Sequence, residues 1–282
     1  MIGLKEIVIS VLILFFLFHK VIINFYFRIK YCDIIRGDII KKDTGKFNYI
    51  PQVIYKTGID DYDKLPKLLK DIFNKNLSIN PNFTIRYYSD KDSREFIKNN
   101  FNKDIINAYD KLIPGAYKAD LFRYCILYKN GGVYSDLTHQ ILKPLKDFID
   151  FEKDKLYLVD DLEHYKINGY GSSKGIQISF IASRPGNDIF LKAIQRIVKN
   201  VNEEYYGYNP LYPTGPVLFY NLLKDYKGEY KIGLKETGTN KIVDENGDTI
   251  IISKIKNHQE NFLKNKPHYT LLWSNRSIYN TM

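Results

Sequence analysis

The chain has 282 residues but only two cysteines, Cys32 and Cys125, one tryptophan and two methionines. Two distant cysteines exclude a disulfide framework and zinc-finger spacing, and Cys125 lies in an apolar stretch where a thiol serves as a small core side chain. There is no internal repeat, and no linker long enough to split residues 47–282 into two domains. A block of one charge sign is also missing. The formal charge is +10, yet from residue 224 onward Lys and Arg are interleaved with Asp and Glu. That pattern suits a solvated surface rather than a stripe that tracks phosphates, and no nucleic-acid-binding module accompanies it, so no nucleic-acid partner is expected. With 44% hydrophobic and 26% charged residues the composition excludes wholesale disorder and allows a large core.

Aromatic residues are abundant, with 24 Tyr and 17 Phe, alongside many Ile, Lys and Asn. The combination reads as compositional bias and carries no function by itself. The N-terminus is more pointed. "IVISVLILFFLF" (7–18) is apolar, His19 and Lys20 interrupt it, and "VIINFYF" (21–27) continues it. Together they reach the roughly 20 residues that cross a bilayer. No small-residue cleavage site comes after them, so residues 1–30 are expected to be an uncleaved single-pass membrane anchor, 31–47 a polar stem, and 48–282 the folded domain. Lys20, Arg28, Lys30, Arg36, Lys41, Lys42 and Lys46 crowd the C-terminal side of the run, a bias that favours the cytoplasmic side for the folded domain.

Downstream, "QVIYK" reads as a strand ending at Thr57-Gly58, Leu65, Leu68, Leu69 and Ile72 recur at helical spacing, "NFTIRYYSD" reads as a strand and "KDSREFIKNNF" as a helix. The alternation predicts an α/β fold with a largely parallel sheet. "KLYLVDD" and "IQISFIAS" read as further strands, "PGNDIFLKAIQRIVKNV" and the segment after "YPTG" as helices, and Asn246-Gly247 as a hairpin turn.

One stretch, "YKADLFRYCILYKNGGVYSDLTHQ" (117–140), raises a chemical question. From Ala116 to Lys129 the helical wheel is apolar all round, which marks a buried helix, yet it carries Asp120 and Arg123 three residues apart on one face. Buried charges must be paired or face a polar cavity. Asn130-Gly131-Gly132 ends the helix, and a strand from Val133 to Thr138 would put Tyr134, Asp136 and Thr138 on one side. Ligand sites of α/β sheets lie beyond strand ends, so Asp120, Arg123, Tyr134 and Asp136 are expected to line one cleft.

"IPQVIYKTG", the 117–138 motif, "FIASRPGNDIF" and "TGP", in that order, resemble the sugar-binding-region glycosyltransferases of family 32, which include the yeast-type initiating mannosyltransferases. The similarity covers most of 49–220. It implies a GT-A, Rossmann-like fold in a single domain and retaining transfer of a hexose from a GDP- or UDP-sugar to a glycan, protein or lipid acceptor. It also implies a secretory-pathway lumen, against the charge bias. By resemblance Asp120 and Arg123 bind the donor sugar, Asp136 contacts ribose or metal, and Asp136 and Arg123 are the catalytic pair. Tyr55 or Thr57 would lie near the base and Trp273 would close over the donor. The family's Asp-x-Asp is here Asp136-Leu137-Thr138, and threonine is a weak ligand for the divalent ion, Mn2+ by expectation, that offsets the diphosphate. Three accounts stay open: the metal is held by Asp136 with another group such as His268, basic side chains replace it, or catalysis is lost and the chain only binds nucleotide sugars or glycans. Asp160 and Asp161 end one strand, and Thr214-Gly215-Pro216 is expected to shape a loop on the acceptor side.

Overall fold

A computed structural model describes residues 49–153, 155–162, 174–254 and 267–280. The expected anchor (1–30) and stem (31–47) lie outside these residues. Among the described residues no helix is long and apolar enough to cross a membrane.

Strand β1 (Val53–Thr57), helix α1 (Lys67–Ile79) and strand β2 (Thr84–Tyr88) form a parallel β-α-β unit, with Ile54 opposite Ile85. Helix α2 (Asp90–Asn100) is opened by Ser89, which accepts from the Asp92 N–H while the Asp92 carboxylate accepts from the Ser89 N–H. Helix α3 (Lys103–Lys111), opened by Asn102, packs against α2 on one side and a later helix on the other. Helix α4 (Gly115–Asn130) is the apolar helix of the sequence, and Gly131 ends it at φ 63°. Gly132 opens β3 (Gly132–Ser135) at φ 95°, where a Cβ would lie 2.9 Å from both the Tyr55 ring and the Val53 carbonyl, so only glycine fits. Then come β4 (Gln140–Ile141), β5 (Leu156–Asp160), β6 (Ile176–Ser183), α5 (Asp188–Asn202), α6 (Pro216–Leu223), β7 (Tyr230–Glu236), β8 (Lys241–Asp244), β9 (Thr249–Ile252) and α7 (Tyr269–Ser274).

Among the described residues nine strands make one sheet in the order β2-β1-β3-β6-β5-β7-β8-β9-β4. It is mixed rather than largely parallel. β6 pairs antiparallel with both β3 and β5, while β1, β2 and β3 are parallel, as are β5 and β7. The C-terminal strands, which looked like an extension in sequence, complete the same sheet, with the expected hairpin turn at Gly247. One face packs Tyr55, Tyr134 and Ile181 against α4, α5 and α6. The other packs Ile54, Val133 and Phe180 against Leu145, Ile149 and Phe151. Period-two alternation in β1 and β3 divides neighbouring residues between these two cores.

The strand directions decide where a site can be. β6 opposes β3 and β5 alike, so β5 runs with β3, and β7 runs with β5. The carboxyl ends of β1, β2, β3, β5 and β7 therefore share one edge, the edge at which open α/β sheets bind ligands.

Candidate functional site

At that edge β3 stops at Ser135, three residues short of the sequence expectation. The chain turns because the His139 N–H donates to the Asp136 carbonyl at 3.0 Å, while the Asp136 N–H still bonds β6 at Ser179. Asp136 thus leaves the sheet with its side chain 39% exposed and facing Arg123.

Arg123 is the hub. Its Nη2 lies 3.1 Å from Asp120 Oδ1 and 3.5 Å from Asp136 Oδ1. Nη1 donates to the Ile178 carbonyl, and the guanidinium stacks 4.5 Å over the Tyr134 ring. Asp120 is buried, and its Oδ2 accepts from the Thr214 hydroxyl at 2.7 Å. Burial pushes the Asp120 pKa up to about 6, against the opposing pull of Arg123 and Thr214. The pair predicted on the buried helix is therefore real and has a third member, with Asp136 as its solvent-facing end. Gly215 adjoins it: a Cβ there would meet Asp120 Oδ2 at 3.5 Å.

Asp161, after β5, is buried and accepts from the Leu162 N–H at 2.9 Å, and Asp160 is half-buried. Asp161 lies beside Gly175 and Pro216 and within electrostatic reach of Glu236 at the end of β7 and of Tyr269. The acidic character of the edge thus extends past β3.

Other expected site residues lie elsewhere. Tyr55 is 1% exposed in the helix-side core, paired with Tyr134 across the strands, and has no access to a nucleotide. Thr57 donates to the Tyr88 carbonyl at 2.9 Å and meets Ser93 at 3.1 Å, tying β1 to β2 and α2. Trp273 is 7% exposed and its indole N–H donates to the Tyr206 carbonyl at 2.7 Å, a structural tie rather than a cover over the donor.

The metal set does not assemble. Thr138 is buried and its hydroxyl donates to the Ser253 carbonyl at 2.9 Å. The exposed His268 caps α7 through Nδ1, which accepts from the Thr270 N–H. His139 is buried with Nδ1 3.3 Å from Ser135 Oγ, and burial drives its pKa down to about 3, helped by Lys56 and Arg123 and opposed by Asp136. Among the described residues no group of three or more His, Cys, Asp or Glu is placed to hold a metal ion. Of the two carboxylates on Arg123, only that of Asp136 faces solvent, and a divalent cation prefers several oxygen ligands. The described residues do not fit a protein-held metal centre.

Sequence reasoning missed Lys56. It is fully buried beneath the Asp136 turn, with Nζ 2.8 Å from the Asp136 carbonyl, 3.4 Å from the His139 carbonyl and 3.4 Å from Ser135 Oγ. Burial lowers its pKa to about 7, and Asp136 opposes that shift. The signal was a lysine at an inward position of the strand "VIYKT". A buried amine bonded only to one turn fixes that turn. Both carbonyls have second donors, the His139 N–H and Asn76 Nδ2. Lys56→Met is thus expected to leave the thermal midpoint close to wild type, since neither carbonyl is left without a donor. For the donor turnover that the family resemblance implies, a fall of about tenfold is expected as Asp136 loses its position. Thermal melts and nucleotide-release assays on the same preparation check both halves.

With this geometry in place the comparisons are informative. Residues 66–155 match the family model described as a glycosyltransferase sugar-binding region containing a DXD motif. That segment includes α4 and the Asp136 turn, so the resemblance drawn from the sequence is borne out. An uncharacterized glycosyltransferase of Acanthamoeba polyphaga mimivirus is 30% identical over 179 residues, 63% of this chain and 66% of that protein. The initiation-specific alpha-1,6-mannosyltransferase of Schizosaccharomyces pombe is 25% identical over 217 residues, 67% of this chain and 52% of it. Its Saccharomyces cerevisiae namesake is 32% identical over 154 residues, 51% of this chain and 31% of it. The chain therefore spans less than two thirds of the length of these relatives. Among solved structures it is similar to the PaToxG glycosyltransferase, with TM-score 0.47 and 14% identity, over 63% of this chain and 69% of that one.

Proposed function

We propose that this chain is a glycosyltransferase of GT-A type that moves a hexose from a nucleotide-diphosphate sugar to a glycan acceptor. The observation that carries the reading is the Asp120–Arg123–Asp136 arrangement, at the carboxyl edge of the sheet and inside the matched sugar-binding region. In this reading Asp120 and Arg123 orient the hexose hydroxyls. Their positions are locked by Thr214, Tyr134 and the Ile178 carbonyl, so the site costs little to organise when the donor arrives. Asp136, the exposed member, faces the ribose or diphosphate, and Arg123 behind it tempers its charge.

Nucleotide release from a panel of GDP- and UDP-hexoses, with added manganese and with a chelator, tests the proposal. Turnover of at least one donor is expected. A second reading, a protein that binds nucleotide sugars without turning them over, is favoured by one observation: Thr138 is withdrawn to Ser253 instead of serving as a cation ligand. Saturable nucleotide binding with no release from any donor would decide for it.

A further inference from the structure

The segment between α5 and α6 is held in an unusual way. Five of its backbone carbonyls accept from buried or half-buried side chains. Tyr279 holds Tyr205, Trp273 holds Tyr206, Tyr117 holds Pro210, Asn200 holds Pro213 and Tyr124 holds Thr214. Asn209 adds a local turn by accepting from the Leu211 N–H at 2.9 Å. Gly207, at φ 66°, lets the chain pass close to Tyr212, where a Cβ would collide at 2.3 Å. Residues 209–211 and 213–215 are buried. Out of this fixed backbone Tyr208 projects at 78% exposure, the most exposed large hydrophobic side chain among the described residues. Its ring meets half-buried Tyr212 edge to face, with centroids 5.5 Å apart and planes at 78°.

A rigid loop that presents an aromatic ring to solvent has no folding reason to do so. Water satisfies its hydroxyl but not its apolar ring faces, and the backbone beneath it is already satisfied. The loop is also continuous with the donor site. The Leu211 carbonyl lies 3.3 Å from a Cβ built on Gly215, which is 3.5 Å from Asp120 Oδ2, and Thr214 bonds the same carboxylate.

We infer that Tyr208 and Tyr212 form the acceptor subsite, a platform on which a pyranose ring of an acceptor glycan stacks. This rests on the glycosyltransferase reading above. The electron-rich face of a tyrosine ring suits the C–H face of a sugar, and the perpendicular partner supplies a wall and a hydroxyl. Gly207 and the buried Asn209 flank Tyr208, and Tyr205, 38% exposed, is the other exposed aromatic of the loop.

The test uses the full chain and two readouts. Saturation-transfer NMR with methyl glycopyranosides, and cyclohexanol as an apolar control, reports binding without any need for turnover. Wild type and Tyr208→Phe are expected to transfer magnetisation to at least one glycopyranoside and not to cyclohexanol, and Tyr208→Ala is expected to lose it with its thermal midpoint unmoved. In transfer assays Tyr208→Ala should raise the acceptor half-saturation at least tenfold and the donor value less than twofold. Wild-type binding to no glycopyranoside, an undiminished signal in Tyr208→Ala, or equal response to cyclohexanol overturns the inference. Absence of donor turnover with the NMR result intact would instead count against the catalytic reading alone.

Discussion

Arg123→Met is expected to lower the unfolding free energy by about 3–5 kcal/mol, the range for breaking a buried ion pair by removing one partner. The reason lies in what remains. Asp120 is 7% exposed and would keep one hydrogen bond, from Thr214, in place of the charge 3.1 Å away. Its pKa, already raised to about 6 by burial, would climb further once the opposing pull of Arg123 is gone, so the carboxyl becomes protonated near neutral pH. The Ile178 carbonyl loses its donor and the Tyr134 ring its stacked cation. Urea unfolding at neutral pH measures the loss. The double variant Asp120→Asn/Arg123→Met should recover a large part of it, because no carboxylate is then stranded. A single variant as stable as wild type would show that the charges are not coupled as described.

The sequence displayed this hub plainly because its signal was a contradiction. Two buried charges on one face of a helix apolar all round must be paired or face a polar cavity, and α4 forms where that apolar stretch placed it. The Gly131-Gly132 break was equally legible, since both glycines adopt positive φ. Thr214 was not visible as the second partner of Asp120, because the contact spans 94 residues and nothing local marks it. The strand expected to run to Thr138 failed for a physical reason. Beyond Ser135 the Asp136 carbonyl is claimed by His139 and Lys56, which turns the chain and sends Thr138 inward. Tyr55 and Trp273 were assigned to the site because they lie near motifs in sequence. The structure uses both as packing, with Tyr55 against Gly132 and Trp273 as a clamp on the loop before α6. Helix α3 and strand β7 were not anticipated. β7 alternates Tyr230, Ile232 and Leu234 with Lys231, Gly233 and Lys235, a strand signal the sequence reading passed over because its first three residues are exposed and bury no apolar face.

Asp136 separates chemistry from stability where Arg123 mixes them. Its side chain is 39% exposed, and its contact with Arg123, at 3.5 Å, is longer than the Asp120 pair. The Lys56 bond reaches its backbone carbonyl, which a substitution keeps. Asp136→Ala is therefore expected to change stability by less than about 1 kcal/mol, as for other partly exposed ion pairs. Loss of the carboxylate at the donor should cost about 10²–10³ in turnover, the range for removing one preorganised electrostatic group. Nucleotide release measured side by side for wild type and Asp136→Ala, on the best donor of the panel and with melting curves of both proteins, tests the central claim. The account predicts matching melts and a drop of at least a hundredfold; matching melts with full residual turnover would contradict it.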